Sequence, residues 1–172
     1  MRGEAKSPPR ESMNEIFWSW TGAFLGIAAV ALLNSCFLDT WSLTLIVGSF
    51  GATAVLIYGA IRSPLAQPKN VIGGHILSAL IGVAAQQFLG FTPWLAAAVA
   101  VATAIAVMHL TRTLHPPGGA TALIAVIGGP TVHQLGYLYV FFPVGVGAIV
   151  LVFVALVVNN IPKRRRYPEF WL

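Results

Sequence analysis

Charge is scarce in this chain: 9% of its 172 residues are Asp, Glu, Lys or Arg, against about 25% in soluble domains. Acids are the scarcest of all, five in total, at Glu4, Glu11, Glu15, Asp39 and Glu169. Four of them lie in the terminal tails, so the apolar body has almost no carboxylate with which to hold a cation. One cysteine, Cys36, excludes an internal disulfide and any CxxC metal or redox motif. Its simplest reading is a small apolar residue on a helix. The histidines lack zinc-site spacing, and neither a cysteine pair nor a nucleotide-binding loop is present. No metal and no cofactor is expected. The pI near 9.9 would suit nucleic acid, but the basic residues occupy tails and short loops. That distribution belongs to membrane topology, and no nucleic-acid partner is expected.

What fills the chain instead is apolar: 57% hydrophobic residues and a mean hydropathy of +0.80. These values place it in a lipid bilayer. Residues 1–15 read as a polar cytoplasmic tail, 16–160 as a transmembrane domain and 161–172 as a basic cytoplasmic tail. The first apolar stretch, 16–38, is too long for a signal-peptide core and is read as retained. Further segments are expected at 41–61, 71–90, 93–111, 117–129 and 137–159. The fifth has 13 residues, about 20 Å as a helix, too short to cross alone.

All ten basic residues fall at Arg2, Lys6, Arg10, Arg62, Lys69, Arg112 and Lys163 to Arg166. Six crossings with both termini inside put every one of them on the cytoplasmic side, as the positive-inside rule requires. A re-entrant fifth segment would leave five crossings and put the C-terminal cluster outside. Six crossings in the plasma membrane, with a broken fifth helix, are therefore expected, with four or five crossings and re-entrant pieces as the alternative.

The sequence around Leu114-His115-Pro116-Pro117-Gly118-Gly119-Ala120-Thr121-Ala122-Leu123 explains the break. Two prolines cannot continue a helix and force an abrupt start. An echo lies earlier: Gly51-Ala52-Thr53-Ala54 repeats Gly119-Ala120-Thr121-Ala122 at an offset of 68 (119 − 51). At that offset Gly22 meets Gly90, and Ala28-Ala29 meets Ala96-Ala97. Halves of about 16–82 and 84–150 would each hold three crossings, so the second would be inverted. The fold class expected is thus an all-α membrane protein of two inverted three-helix repeats, a common transporter plan. Its broken helices lie at Gly51 and at Pro117 to Gly119.

Two such breaks would bring helix N-termini together near the midplane, where irregular backbone is tolerated only around a cavity or within protein. Free N–H groups at Gly51, Ala52, Gly118, Gly119 and Ala120, with the hydroxyls of Ser49, Thr53 and Thr121, would bind a small anion. Small-residue helix packing is the alternative reading of the glycines. His115 could donate to the anion, carry a proton or merely cap the broken backbone. His75 is an intramembrane ionisable residue and so a functional candidate, with helix-interface packing as the alternative. Arg112 could attract anions or snorkel to headgroups. His133 reads as a loop residue, and 63–68 as a rigid turn more than a gate.

The blocks His115 to Leu123, Gly51 to Leu56, and Ser63 to Asn70 followed by Gly73-Gly74-His75 resemble the HPP family of integral membrane proteins. The likeness spans about 16–160. Family members are usually given four transmembrane helices, and some carry extra cytoplasmic domains. Members in cyanobacteria and chloroplasts are associated with nitrite transport, and the resemblance implies that substrate class here. The expectation is a non-enzymatic transporter of a small inorganic anion, nitrite first, either a channel or a proton-coupled carrier using His75 or His115, with the lipid bilayer as surroundings and a homo-oligomer compatible with the many small residues. A histidine-dependent membrane enzyme and a structural subunit are the rivals.

Overall fold

The computed structural model describes Ser7, residues 9–37 and residues 48–171. The expectations for the Cys36 side chain, for Asp39 and for the first part of the second segment lie outside the described residues. The described residues are helical and contain no strand. α1 is Met13–Phe37, α2 Ser49–Ala54, α3 Pro68–Leu89, α4 Pro93–Leu110, α5 Pro116–Ile127, α6 Gly129–Leu135 and α7 Val146–Val158. α2 continues into a π-helical stretch, Val55–Gly59, and a second such stretch, Val140–Gly145, leads into α7.

Four helices are long and apolar enough to cross a bilayer: Met13–Leu33, Pro68–Leu89, Pro93–Leu110 and Val140–Val158. Six full-length spans are therefore not what the described residues form. The other two apolar segments, Ser49–Gly59 and Pro116–Ile127, are half-length. The latter has 12 residues, about 18 Å of helix.

α3 is the central pillar, and α5 runs parallel to it. Asn70 near the start of α3 donates to Leu114 O at 2.9 Å. Further along, a Cβ on Gly74 would lie 2.6 Å from His115 Cβ, and one on Gly82 would lie 2.6 Å from Ala122 O. Gly136, after α6, faces Gln87 near the far end of α3. The chain from Thr113 to Gly136 thus climbs nearly the length of α3, although no single helix in it does.

Small residues make these approaches close. Gly74, Ser78 and Gly82 recur every fourth residue on α3 and meet Gly118, Ala122 and Ala125 of α5. Such small-xxx-small seams replace the hydrophobic drive that lipid cannot supply. α4 presents Ala96, Ala100, Ala104 and Met108 at the same spacing and packs with Ala122 and Val126 into one buried cluster. A second, larger cluster joins α1, α2, α3 and α7 around Phe50, Tyr58 and Tyr139.

The broken helix at Val55–Gly59 needs partners for the carbonyls it frees, because lipid offers none. Asn159 Nδ2 donates to Ile57 O at 2.8 Å, and Arg165 Nη2 donates to Tyr58 O at 3.2 Å. The Tyr58 ring fills the notch left by Gly22 and Gly26 on α1, and its hydroxyl donates to Leu151 O at 3.0 Å. Phe142 leaves the helical region at φ −143°, ψ 116° ahead of Pro143, as the residue before a proline is pressed to do.

One end of the bundle gathers the polar ends of the chain. Arg165 reaches Glu15 at 2.9 Å, Tyr167 donates to Ala66 O at 2.8 Å, and Glu169 N donates to Gln67 Oε1 at 2.8 Å. The start of α1, the 60–67 turn, the 111–115 turn and the C-terminal segment therefore share this end, together with Arg62, Lys69, Arg112 and Lys163 to Arg166. The turn 63–68 is held by local hydrogen bonds: Ser63 caps a 3₁₀ turn at Pro64–Ala66, and Gln67, fully buried, donates to Ile61 O and Ser63 O.

One expectation changes. His133 lies on α6 rather than in a loop, with its Nε2 donating to Val126 O at 2.8 Å. Within the C-terminal basic run the Arg165 side chain is buried while Lys163, Arg164 and Arg166 are exposed.

Candidate histidine–threonine site

α2 and α5 pass each other in opposite directions, and their first turns overlap. Ser49 lies opposite Thr121, and Thr53 lies opposite His115. α3 supplies His75 between them. His75, His115, Thr53 and Thr121 are fully buried, and Ser49 nearly so.

Thr53 Oγ1 lies 2.7 Å from His75 Nε2 and 3.0 Å from His115 Nε2. The other nitrogen of His75, Nδ1, lies 2.8 Å from Thr121 Oγ1, which donates to Ser49 Oγ at 2.7 Å. His115 Nδ1 donates to Leu65 O at 2.8 Å. Each threonine also has the carbonyl four residues back within reach: Ser49 O at 3.1 Å for Thr53, and Pro117 O at 3.3 Å for Thr121. Phe50 closes one side, edge-on to His75 with centroids 5.4 Å apart. Tyr139 donates to Thr121 O at 3.3 Å. The cluster contains five polar side chains and no carboxylate.

The two threonines are the ones related by the 68-residue offset. A single imidazole bridges them, one ring nitrogen to each.

The backbone contribution is different from the sequence expectation. α5 begins at Pro116, with His115 at its N-cap position. The first two helical residues are prolines without N–H groups, and the third donor, Gly118 N, is taken by His115 O at 2.8 Å. Two of the donors that a helix N-terminus ordinarily presents are therefore absent at the start of α5, and a third is occupied. Gly118 is a packing residue: a Cβ there would lie 2.7 Å from Ser78 Oγ and 3.0 Å from Gly74 O. Gly119 and Ala120 are half-buried beside α4, and Gly51 and Ala52 are exposed. Of the ten residues nominated from sequence, Ser49, Thr53, His75, His115 and Thr121 come together through their side chains. Gly51, Ala52, Gly118, Gly119 and Ala120 do not join them.

Sequence reasoning missed Tyr139, whose only signal was a tyrosine inside an apolar segment, and Leu65, whose carbonyl no side-chain pattern can reveal. A separate open cavity of about 610 Å³ lies at the charged end between Glu11, Glu15, Arg62, Ser63 and Arg164. It shares no residue with the histidine cluster.

Residues 8–168 match the family described as HPP, transmembrane region. The chain belongs to the HPP family. Two relatives in Dictyostelium discoideum, each described as a transmembrane protein, are 44% and 42% identical to this HPP chain. The matches cover 99% and 98% of the chain but 55% and 60% of the relatives. The chain thus spans little more than half the length of these curated relatives. No solved structure matches it.

Proposed function

We propose that this HPP protein carries a small inorganic anion across the membrane, with nitrite as the first substrate. The observation behind this reading is the meeting of two interrupted helices at His75 and His115, which share Thr53 in a cluster without a carboxylate. Intramembrane ionisable residues are costly and serve substrate or ion pathways. Ring N–H groups and hydroxyls are donors that an anion can adopt in place of the cluster's own acceptors. A field made of donors without a fixed permanent charge favours release as well as binding. Nitrite as the particular anion comes from the family resemblance alone.

The topology that goes with this reading has six crossings, two of them made by half-length helices with irregular backbone. It has two inverted halves and both termini on the cytoplasmic side of the plasma membrane. The climb of residues 113–136 alongside α3, the gathering of basic residues at one end, and the bridge between offset-related Thr53 and Thr121 support it.

The test is flux into liposomes containing the purified protein, comparing nitrite, nitrate, formate and chloride. Selective uptake of nitrite that falls at least tenfold in His75→Ala, in protein shown to be folded, is the expected result. Absence of flux for every anion in folded, inserted wild-type protein would overturn the reading.

A further inference from the structure

We infer that the buried histidine–threonine cluster is a proton-relay site that takes up one proton with each anion carried, so that transport is proton-coupled. This rests on the proposed anion transport and names its coupling ion.

The hydrogen-bond inventory orders the cluster. Leu65 O can only accept, so His115 Nδ1 carries a proton in every charge state. When His115 is neutral its Nε2 is an acceptor, and the Thr53 hydroxyl must donate to it. Thr53 has one proton, so its 2.7 Å contact with His75 must be filled by a proton on His75 Nε2. Neutral His75 then accepts at Nδ1, and the Thr121 hydroxyl turns from Ser49 Oγ to donate there. One backbone carbonyl thereby aligns every bond, from Thr121 through His75 and Thr53 to His115.

The same heavy-atom positions accommodate one more proton. A proton delivered through Thr121 binds His75 Nδ1. The Nε2 proton of His75 passes to Thr53, and the original Thr53 proton passes to His115 Nε2, leaving His115 an imidazolium. Every bond is now reversed. His115 Nε2–H donates to Thr53, Thr53 to His75 Nε2, and His75 Nδ1–H to Thr121. The Thr121 hydroxyl donates to Ser49 Oγ, the direction its geometry favours. The carbonyls of Ser49 and Pro117 serve as second acceptors for the two threonine hydroxyls. Loss of the His115 Nε2 proton to water, rotation of the hydroxyls and a tautomeric return of the His75 proton from Nδ1 to Nε2 restore the first state. The proton count balances, and a proton with a monovalent anion moves no net charge.

The surroundings favour this use. The other buried ionisable side chains among the described residues are Tyr58, Tyr139, Tyr167 and Arg165. Tyr58 and Tyr139 are committed to the carbonyls of Leu151 and Thr121, and Tyr167 to Ala66 O. Arg165 is fixed on Glu15 and Asn159. None of them neutralises an imidazolium, which leaves the transported anion as its counter-charge. At the His115 end, Asn70 Oδ1 is a buried acceptor with no partner, although its Nδ2 is bound to Leu114 O. A buried polar atom of that kind calls for a donor such as water, and its residue is tied to Leu114, the neighbour of His115.

The experiment measures proton uptake per anion in proteoliposomes, with an internal pH dye alongside anion flux, for wild type, Thr53→Ser and Thr53→Val. Thr53→Ser keeps the hydroxyl, whereas Thr53→Val keeps the shape and cuts the relay on both sides. The expected result is about one proton per anion in wild type and Thr53→Ser. Whatever anion flux Thr53→Val retains should carry at least tenfold fewer protons per anion. Wild-type anion flux without proton uptake overturns this inference and leaves anion transport standing, as does wild-type coupling in folded Thr53→Val. If wild type moves no anion, anion transport fails. Valinomycin-driven proton leak then decides the relay: present in wild type and lost in Thr53→Val supports it, absent in wild type overturns it. Nitrogen-15 NMR of the histidines gives a flux-free readout. In the neutral state a proton on Nδ1 of His115 and on Nε2 of His75 is expected, and the opposite pair of tautomers overturns the relay.

Discussion

His75 and His115 hold the same hydroxyl. Thr53 Oγ1 lies within hydrogen-bond reach of both rings, whose centroids are 5.0 Å apart. Each ring comes from a different element, and the hydroxyl from a third. The arrangement ties α2, α3 and the turn before α5 at one point, so substitutions there act on stability and on transport together.

His75→Ala should be costly to the fold. It strands Thr53 and Thr121 without their ring partners and opens a cavity beside Phe50. A loss of about 2–4 kcal/mol is expected, read as a lowered unfolding temperature in detergent.

The two motif glycines should part company. Gly118→Ala drives a methyl into Ser78 Oγ and Gly74 O on α3, an overpacking cost of about 1–3 kcal/mol. Gly119→Ala meets only Val101 Cγ1, at 3.9 Å, and replaces a poor helix former with the best one. Its stability should match or exceed wild type in the same melt.

Arg165→Ala should destabilise by about 2–3 kcal/mol, since it frees Glu15, Asn159 and Tyr58 O at once. The partial exposure of Glu15, 29%, keeps the figure below that of a fully buried pair. Arg164→Ala and Arg166→Ala, at exposed positions, should stay within about 0.5 kcal/mol. A double-mutant cycle of Arg165→Ala with Glu15→Gln should be non-additive.

Sidedness follows from the shared polar end. In a Cys36→Ser background, single cysteines at Lys163 and Arg62 should react with an impermeant maleimide from one side of the membrane. A cysteine at Phe91, in the turn at the opposite end, should react from the other. Labelling of all three from one side would contradict six crossings.

Much of this was legible in the sequence. Hydropathy placed α3 and α4 within a few residues, because a long apolar run reads the same whatever it packs against. Proline chemistry marked the start of α5, and the rarity of histidine in lipid singled out His75 and His115. The backbone reading of the anion site went astray for a physical reason. The prolines that announce a helix start are also the residues that remove its donors. The burial of Arg165 was illegible, because its partners come from the start of α1, the π-helical stretch after α2 and the end of α7, and no local periodicity encodes them. The same holds for Tyr167. Its burial pushes the phenol above the usual tyrosine range and keeps it a neutral donor.

The bond from Arg165 to Glu15 joins residues 150 positions apart, and this bears on how the protein is made. A ribosome delivers Glu15 well before Arg165. Until Arg165 emerges, α1 waits in the bilayer without the guanidinium that anchors its first turn, and without the α7 surface it lies against. The emergence of Arg165 is therefore the step that commits α1 to its place, and a chain halted before it would insert its helices yet leave α1 adrift.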